Sequence, residues 1–463
     1  MKNLQLTETQ RKVIEQLDER CSVILQAKPG SGKTRIVLET IARNRPSHVI
    51  YCSTPQIAYK GVPTEIKKFG YKFNVYSLED AKSRDETIRR WRVKGGLLLA
   101  SIQLLHKLPV CEVPLAAWFV LDESTLTKRP GGVWSETAQQ IAARCCKRIL
   151  MTGTFRSNEL HHVYKQAAIA IGDPQEVISR LGRFETWKRK HFYVQQIQRG
   201  RLMLEKLLPK PNAVESVINE LKDLLIVVET DEAAAAHYPK IVEKQIIVRP
   251  QLSPSWRFNN PNEATTVIRL QQAAFGVVYL DLVENGRRNS MKLHTAKLAA
   301  IEELLERHRR VVYVYTFDHE KDQVVKIARK LGLKTRTAKA NSKGWIDSWN
   351  AGKIDVLLLH PRSAGHGVNI QFGGNVMIWG VPTPDYEAYA QTVARLARPG
   401  QPEPEVLVYE IVADGTIDAI MKRARDARVV GEKELLEKWR AESKTQPASA
   451  LNQPMREEVK HEH

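Results

Sequence analysis

The amino-acid sequence predicts an α/β protein of two units in tandem, each a parallel sheet flanked by helices. Three observations predict it. Two stretches of the chain alternate short β-branched runs with amphipathic helical segments, a glycine-rich loop joins a strand to a helix in the first stretch, and two arginines at helical spacing lie near the end of the second.

The first stretch opens at residue 22. Its apolar runs are SVILQ (22–26), SHVIYCS (47–53), GLLLAS (96–101), AWFVLDE (117–123) and KRILMTGT (147–154). Between them lie segments such as TRIVLETIARN (34–44) and ETIRRWRVK (86–94), which carry helical patterns. Near-continuous apolar strands alternating with helices fit an open sheet covered on both faces.

Between the first strand and the first helix, residues 27–34 read AKPGSGKT. That context is the one a phosphate-binding loop requires. Ala27, Lys28, Pro29, Gly30, Ser31, Gly32, Lys33 and Thr34 are therefore candidate ligands of ATP. Gly30 and Gly32 let the backbone turn so that N–H groups face phosphate oxygens at a helix N-terminus. Lys33 would reach the β- and γ-phosphates, and the Thr34 hydroxyl would ligate Mg²⁺. Such a loop needs a carboxylate at the end of a neighbouring strand. AWFVLDES supplies Asp122 as the Mg²⁺ partner and Glu123 as the base that polarises the attacking water.

The second stretch starts near residue 292 and runs RVVYVYTF (310–317), KIDVLLLH (353–360), NVMIWG (375–380) and EVLVYEIV (405–412). Within it, Gln391, Arg395 and Arg398 are spaced by four and three residues, so a helix would place them on one face. Between the two stretches the pattern is less regular. Residues 180–210 hold nine Lys or Arg and two acidic residues, with Phe184, Trp187, Phe192 and Tyr193 interleaved. Such a segment can bind a phosphate backbone through Lys188 and Arg189 and stack bases on its aromatics. It can equally be a solvated helical face with its apolar side in the first unit. The expected domains are 1–170, 171–290 as a basic insertion or linker, 291–440, and a polar, flexible tail over 441–463.

A chain of 463 residues, 43% hydrophobic, is long enough for more than one core. Its 71 Lys and Arg against 52 Asp and Glu leave a net charge of +19, which favours a polyanionic partner. No stretch approaches the ~20 apolar residues of a membrane span, and the N-terminus lacks the apolar run of a signal peptide, so a cytoplasmic location is expected. Cys21, Cys52, Cys111, Cys145 and Cys146 form no CxxC pair and read as buried, reduced thiols. His161, His162, His461 and His463 read as surface or tail residues, not ligands.

With these motifs in place, the chain from about Gln10 to Leu436 resembles a superfamily-two ATPase of the SWI/SNF type, in a compact bacterial or phage-like form. The resemblance implies two RecA-like domains with the ATP site in the cleft between them. It makes Gln10 an adenine contact. STPQ, with Ser53, Pro55 and Gln56, ASIQLL, with Ser101, and MTGT, with Thr152, Gly153 and Thr154, become backbone-contacting or coupling motifs. HPRSAGHGVNIQ resembles motif V, contributing Ser363 and Ala364 to nucleic acid and Gly365, Gly367 and Asn369 to the nucleotide. QTVARLARPGQ (391–401) is similar to motif VI, which makes Gln391 a nucleotide contact, Arg398 an arginine finger and Arg395 its neighbour on the phosphate. Motif II departs from its relatives by reading DEST.

The function expected is an ATP-dependent motor on double-stranded DNA, DNA-stimulated and of low sequence specificity. A strand-separating DNA or RNA helicase and a non-catalytic DNA-binding or assembly factor on an ATPase fold are the alternatives.

Overall fold

The structure is a computed structural model that describes residues 5–28, 30–128, 131–153, 160–199, 202–228, 238–250, 263–284, 287–338, 344–361 and 369–428. In the first lobe the strands are β1 (Ser22–Gln26), β2 (His48–Ser53), β3 (Val75–Ser77), β4 (Gly96–Ser101), β5 (Trp118–Asp122) and β6 (Lys147–Thr152). An antiparallel hairpin, β7 (Phe192–Arg199) and β8 (Leu202–Pro209), then precedes β9 (Leu225–Val227). Among the described residues the first sheet is parallel throughout and ordered β3-β4-β2-β5-β6-β1-β9.

Successive residues of a strand point to opposite faces, and here both faces are apolar. Ile24, Ile50, Leu98, Phe119 and Leu150 belong to one buried cluster, while Val23, Val49, Leu97, Val120 and Ile149 belong to the other. In this doubly covered sheet β1 lies between β6 and the edge strand β9, and the loop after it opens at the carboxyl edge, where α/β sheets bind ligands.

The second lobe repeats the plan. Its strands are β10 (Lys240–Val248), then β11 (Val277–Glu284) and β12 (Arg287–Lys292) as an antiparallel pair, then β13 (Val311–Val314), β14 (Thr335–Thr337), β15 (Val356–Leu359), β16 (Val376–Trp379) and β17 (Glu405–Ala413). The parallel sheet is ordered β10-β17-β16-β13-β15-β14. Val311, Tyr313, Val356 and Ile378 face one core, and Val312, Val314, Leu357 and Trp379 the other.

The sheets divide the chain differently from the expected boundaries at 170 and 290. β9 hydrogen-bonds to β1 in the first sheet, and β10 runs beside β17 over nine residue pairs in the second. The middle segment is thus shared between the lobes. β9 is too short to show a period, and β10 is a largely exposed edge strand whose sequence, KIVEKQIIV, mixes charges with apolar residues.

Within that segment, the Phe184–His191 helix turns Trp187 into the first core, where its ring lies 5.3 Å from Tyr164 and 5.8 Å from Phe192. Tyr193 is exposed. Lys188 is buried and bound to Glu205 at 2.5 Å and Glu185 at 2.7 Å, which corrects its assignment to a phosphate backbone. Arg189 is exposed. The cysteines are all free, but Cys21, Cys111 and Cys146 are exposed, against the expectation of burial; each lies at or beyond the end of an apolar run. Among the described residues there is no cluster of three or more His, Cys, Asp or Glu able to hold a metal, and no helix long and apolar enough to cross a membrane.

Candidate nucleotide site between the two lobes

The loop after β1 turns through left-handed backbone at Gly30 (φ 87°) and Gly32 (φ 83°) before the helix Lys33–Asn44 begins. Both positions need glycine for φ, and a side chain at either would press on a neighbour. A methyl at Gly30 would lie 3.1 Å from the Tyr238 hydroxyl and 3.2 Å from Pro399 Cδ, and one at Gly32 would lie 2.6 Å from Gln10 Nε2. The first-turn N–H groups of this helix have no intrahelical acceptor, which suits an anion. Lys33 Nζ donates to the Ala27 carbonyl at 2.6 Å and the Lys28 carbonyl at 3.3 Å. Its pKa is lowered by burial, against the pull of Glu123 and Asp122, and Arg398 adds to the lowering.

Gln10 is held by a capping box at the start of the helix Glu8–Glu19, its Oε1 accepting from Thr7 N and its backbone N donating to Thr7 Oγ1. That leaves Nε2 to donate to Ser31 O at 3.2 Å, so Gln10 rests on the phosphate loop.

Asp122 ends β5. Its carboxylate accepts from the Tyr51 hydroxyl at 3.0 Å, and the Thr34 hydroxyl hydrogen-bonds Tyr51 in turn. Burial raises the Asp122 pKa while Lys33 opposes the rise. Glu123 follows in a left-handed conformation (φ 67°, ψ 65°), unusual for a side chain with a Cβ. Burial, with Glu387 next in importance, pushes its pKa up to about 7. Asp122 and Thr34 together form the hard-oxygen pair that would hold Mg²⁺, and a cation there would offset the cost of burying the carboxylate.

The second lobe supplies the opposite wall. The helix Tyr386–Val393, N-capped by Asp385, carries Gln391, but it ends at Val393. Arg395 and Arg398 therefore sit in the turns that follow, not on the expected continuous helical face. Past Val393 the backbone tightens into i→i+3 turns, Arg395 N donating to Thr392 O at 3.2 Å and Leu396 N to Val393 O at 3.1 Å, and Pro399 keeps the helix from resuming at Arg398. Arg395 is buried, which lowers its guanidinium pKa to about 10, with Arg398 contributing. Arg398 Nε donates to Ala394 O at 2.8 Å, and its NH1 donates to Asn369 Oδ1.

The structure thus brings Gln10, Ala27, Lys28, Gly30, Ser31, Gly32, Lys33, Thr34, Asp122, Glu123, Asn369, Gln391, Arg395 and Arg398 to one cleft. Ser53, Ser101 and Thr152 are buried at the carboxyl ends of β2, β4 and β6, with Pro55 exposed and Gln56 and Gly153 partly so. Pro29, Thr154, Ser363, Ala364, Gly365 and Gly367 lie outside the described residues. Sequence reasoning missed Tyr51, Thr125, Tyr238 and Glu387. For Glu387 the signal was present, since it precedes Gln391 by one helical turn.

A phosphate loop in one parallel-sheet lobe facing arginines from a second is the arrangement of an ATP-dependent motor that acts on nucleic acid. The family of DEAD/DEAH box helicases matches residues 7–163. Protein p41 of Acyrthosiphon pisum secondary endosymbiont phage 1 is 30% identical over 335 residues, covering 67% of this chain and 69% of p41. The chain belongs to the same family as this phage protein, and its residues 7–163 form a DEAD/DEAH box helicase domain. Among solved structures, the Sulfolobus solfataricus SWI2/SNF2 ATPase core in complex with double-stranded DNA is similar, with 17% identity, 90% of each chain covered and a TM-score of 0.44.

Proposed function

We propose that this protein is a DNA-stimulated ATPase that moves along double-stranded DNA, gripping the backbone with little regard to sequence. The observation that carries the proposal is the juxtaposition of the phosphate loop with the Arg395–Pro399 turns: Pro399 packs against Gly30, and the charge of Arg398 reaches Lys33. Lys33 and the loop N–H groups bind the β- and γ-phosphates, Gln10 the base, and Asn369 and Gln391 line the second-lobe side. Mg²⁺ held by Thr34 and Asp122 would neutralise phosphate charge. Glu123 orients and deprotonates the attacking water, and Arg398, backed by Arg395, meets the charge that accumulates on the γ-phosphate oxygens.

On the first lobe Pro55 and Gln56, beyond the end of β2, are open to a DNA backbone. Closing on ATP and opening after hydrolysis then shifts one grip relative to the other. The excess of basic charge favours a polyanionic partner, and the motif VI resemblance favours duplex DNA over a strand-separating role.

The test is ATP turnover measured with duplex DNA, single-stranded DNA and RNA. Duplex DNA is expected to stimulate most, and Lys33→Ala to abolish turnover with all three. Stimulation by RNA or single strands alone would replace the translocase reading with a strand-separating one. Turnover surviving in Lys33→Ala would remove the assignment of the site.

A further inference from the structure

We propose that Glu387 of the second lobe is a positioning residue for the turn that carries Glu123 on the first, so that lobe closure sets the hydrolytic base as well as the arginine finger. This inference rests on the ATPase reading above. The residues after Glu123 form a single 3₁₀ turn, Ser124–Thr127, with only short local hydrogen bonds of its own. From within the first lobe it is tied down by the Ser124 hydroxyl, which donates to Gln166 Oε1 at 2.6 Å.

Leu126 packs against the first-lobe core, and two further hydrogen-bonded ties come from across the cleft. Both oxygens of the Glu387 carboxylate are used: Oε1 accepts from the Thr125 hydroxyl at 2.6 Å, and Oε2 accepts from Lys128 Nζ at 2.9 Å. The same Thr125 hydroxyl lies 2.9 Å from Glu123 Oε1. One buried hydroxyl therefore lies between a carboxylate of each lobe and can donate its single proton to either, and the ion pair beside it is only partly exposed. Glu387 stands in the first turn of the helix that leads into Arg395 and Arg398. A movement that withdraws the arginines withdraws Glu387 with them, and the left-handed backbone at Glu123 then loses the contacts that fix its neighbour. The Ser-Thr of the DEST sequence is on this view suited to a carboxylate partner.

The experiment is steady-state ATP turnover with duplex DNA. It compares wild type with Glu387→Ala, Glu387→Gln, Thr125→Val, Thr125→Ser and the double variant Thr125→Val/Glu387→Ala. Absence of turnover in the wild-type protein, or turnover that survives Lys33→Ala, would refute the ATPase reading itself and this inference with it. Given turnover that depends on Lys33, Glu387→Ala and Thr125→Val are each expected to lower kcat about tenfold, with KM for ATP within about twofold. The double variant should be no slower than the worse single one, because both remove one linkage. Glu387→Gln and Thr125→Ser keep an acceptor and a donor and should recover most of the rate. Unchanged kcat in Glu387→Ala, a loss carried by KM, or losses that multiply in the double variant would overturn the positioning role. Multiplying losses are also what unrelated damage to the fold would give.

Discussion

Arg398 enters the cleft with its guanidinium already held by two acceptors, Ala394 O and Asn369 Oδ1, so little rotamer freedom remains to be lost when a phosphate arrives. Replacing it with alanine should lower ATP turnover by about 10³-fold or more while nucleotide binding, followed by a fluorescent ATP analogue, changes little. Lysine should not restore the rate, because a single ammonium cannot keep both acceptors and still present a fork to the γ-phosphate. Near wild-type turnover in the alanine variant would end the assignment.

A second titration belongs to stability rather than to catalysis. Glu320 is fully buried, accepts from Thr316 N, Phe317 N and the Tyr313 hydroxyl, and is pushed by burial up to about 7. Its folded-state pKa is raised above the unfolded value. The folded state therefore binds the extra proton, and the stability this confers is complete below about pH 4.5 and lost as pH rises through about 7. The change is on the order of 3 kcal/mol across that window. Melting temperatures at pH 5.5 and 8 should show it, and Glu320→Gln should flatten the difference.

At the scale of elements, the second lobe is braced behind the cleft by buried ion pairs. Lys297, on the helix Ala296–Arg307, meets Asp418 at 2.5 Å with neither side chain exposed, and it also donates to Gly380 O at 2.7 Å. Arg425 grips Glu410 of β17 through two bonds, 2.6 and 2.8 Å, and lies over the ring of Tyr389 on the motif VI helix. Lys297→Met should destabilise the lobe by about 3–5 kcal/mol in denaturant titrations, because it strands a buried carboxylate. Adding Asp418→Asn should recover a good part of that loss. None of these pairs was legible in the sequence, since they join residues over a hundred positions apart or lie in segments without a motif. What was legible were elements with a period or a fixed local geometry. The buried strands carry both faces' apolar residues, and the AKPGSGKT loop is determined by its two left-handed glycines. β9 and β10 escaped because a three-residue strand and an exposed edge strand carry no such pattern.

Across the whole molecule, the sequence contained each half of the cleft but not the contacts between the halves. Lys33 and Arg398 could be paired from the chemistry of phosphoryl transfer, whereas Thr125 and Glu387 meet only because the lobes close in one particular register. Charge behaves in the opposite way, being readable in total and not in place. The net +19 survives every internal pairing, because an ion pair removes one charge of each sign. Lys188, however, is withdrawn from the surface by Glu185 and Glu205, and Lys165 by Glu136. The DNA-facing excess must therefore come from other cations, and its size is open to measurement. If the lobes grip the duplex through about six phosphates, affinity should fall by about 10³-fold between 50 and 200 mM salt. Fluorescence anisotropy on two unrelated duplexes of equal length should give the same slope and nearly the same affinity, because backbone contacts carry no base information. A shallow salt dependence, or strong discrimination between the two sequences, would mean that base edges and not phosphates hold the DNA, and a motor that must pass over every sequence could not work that way.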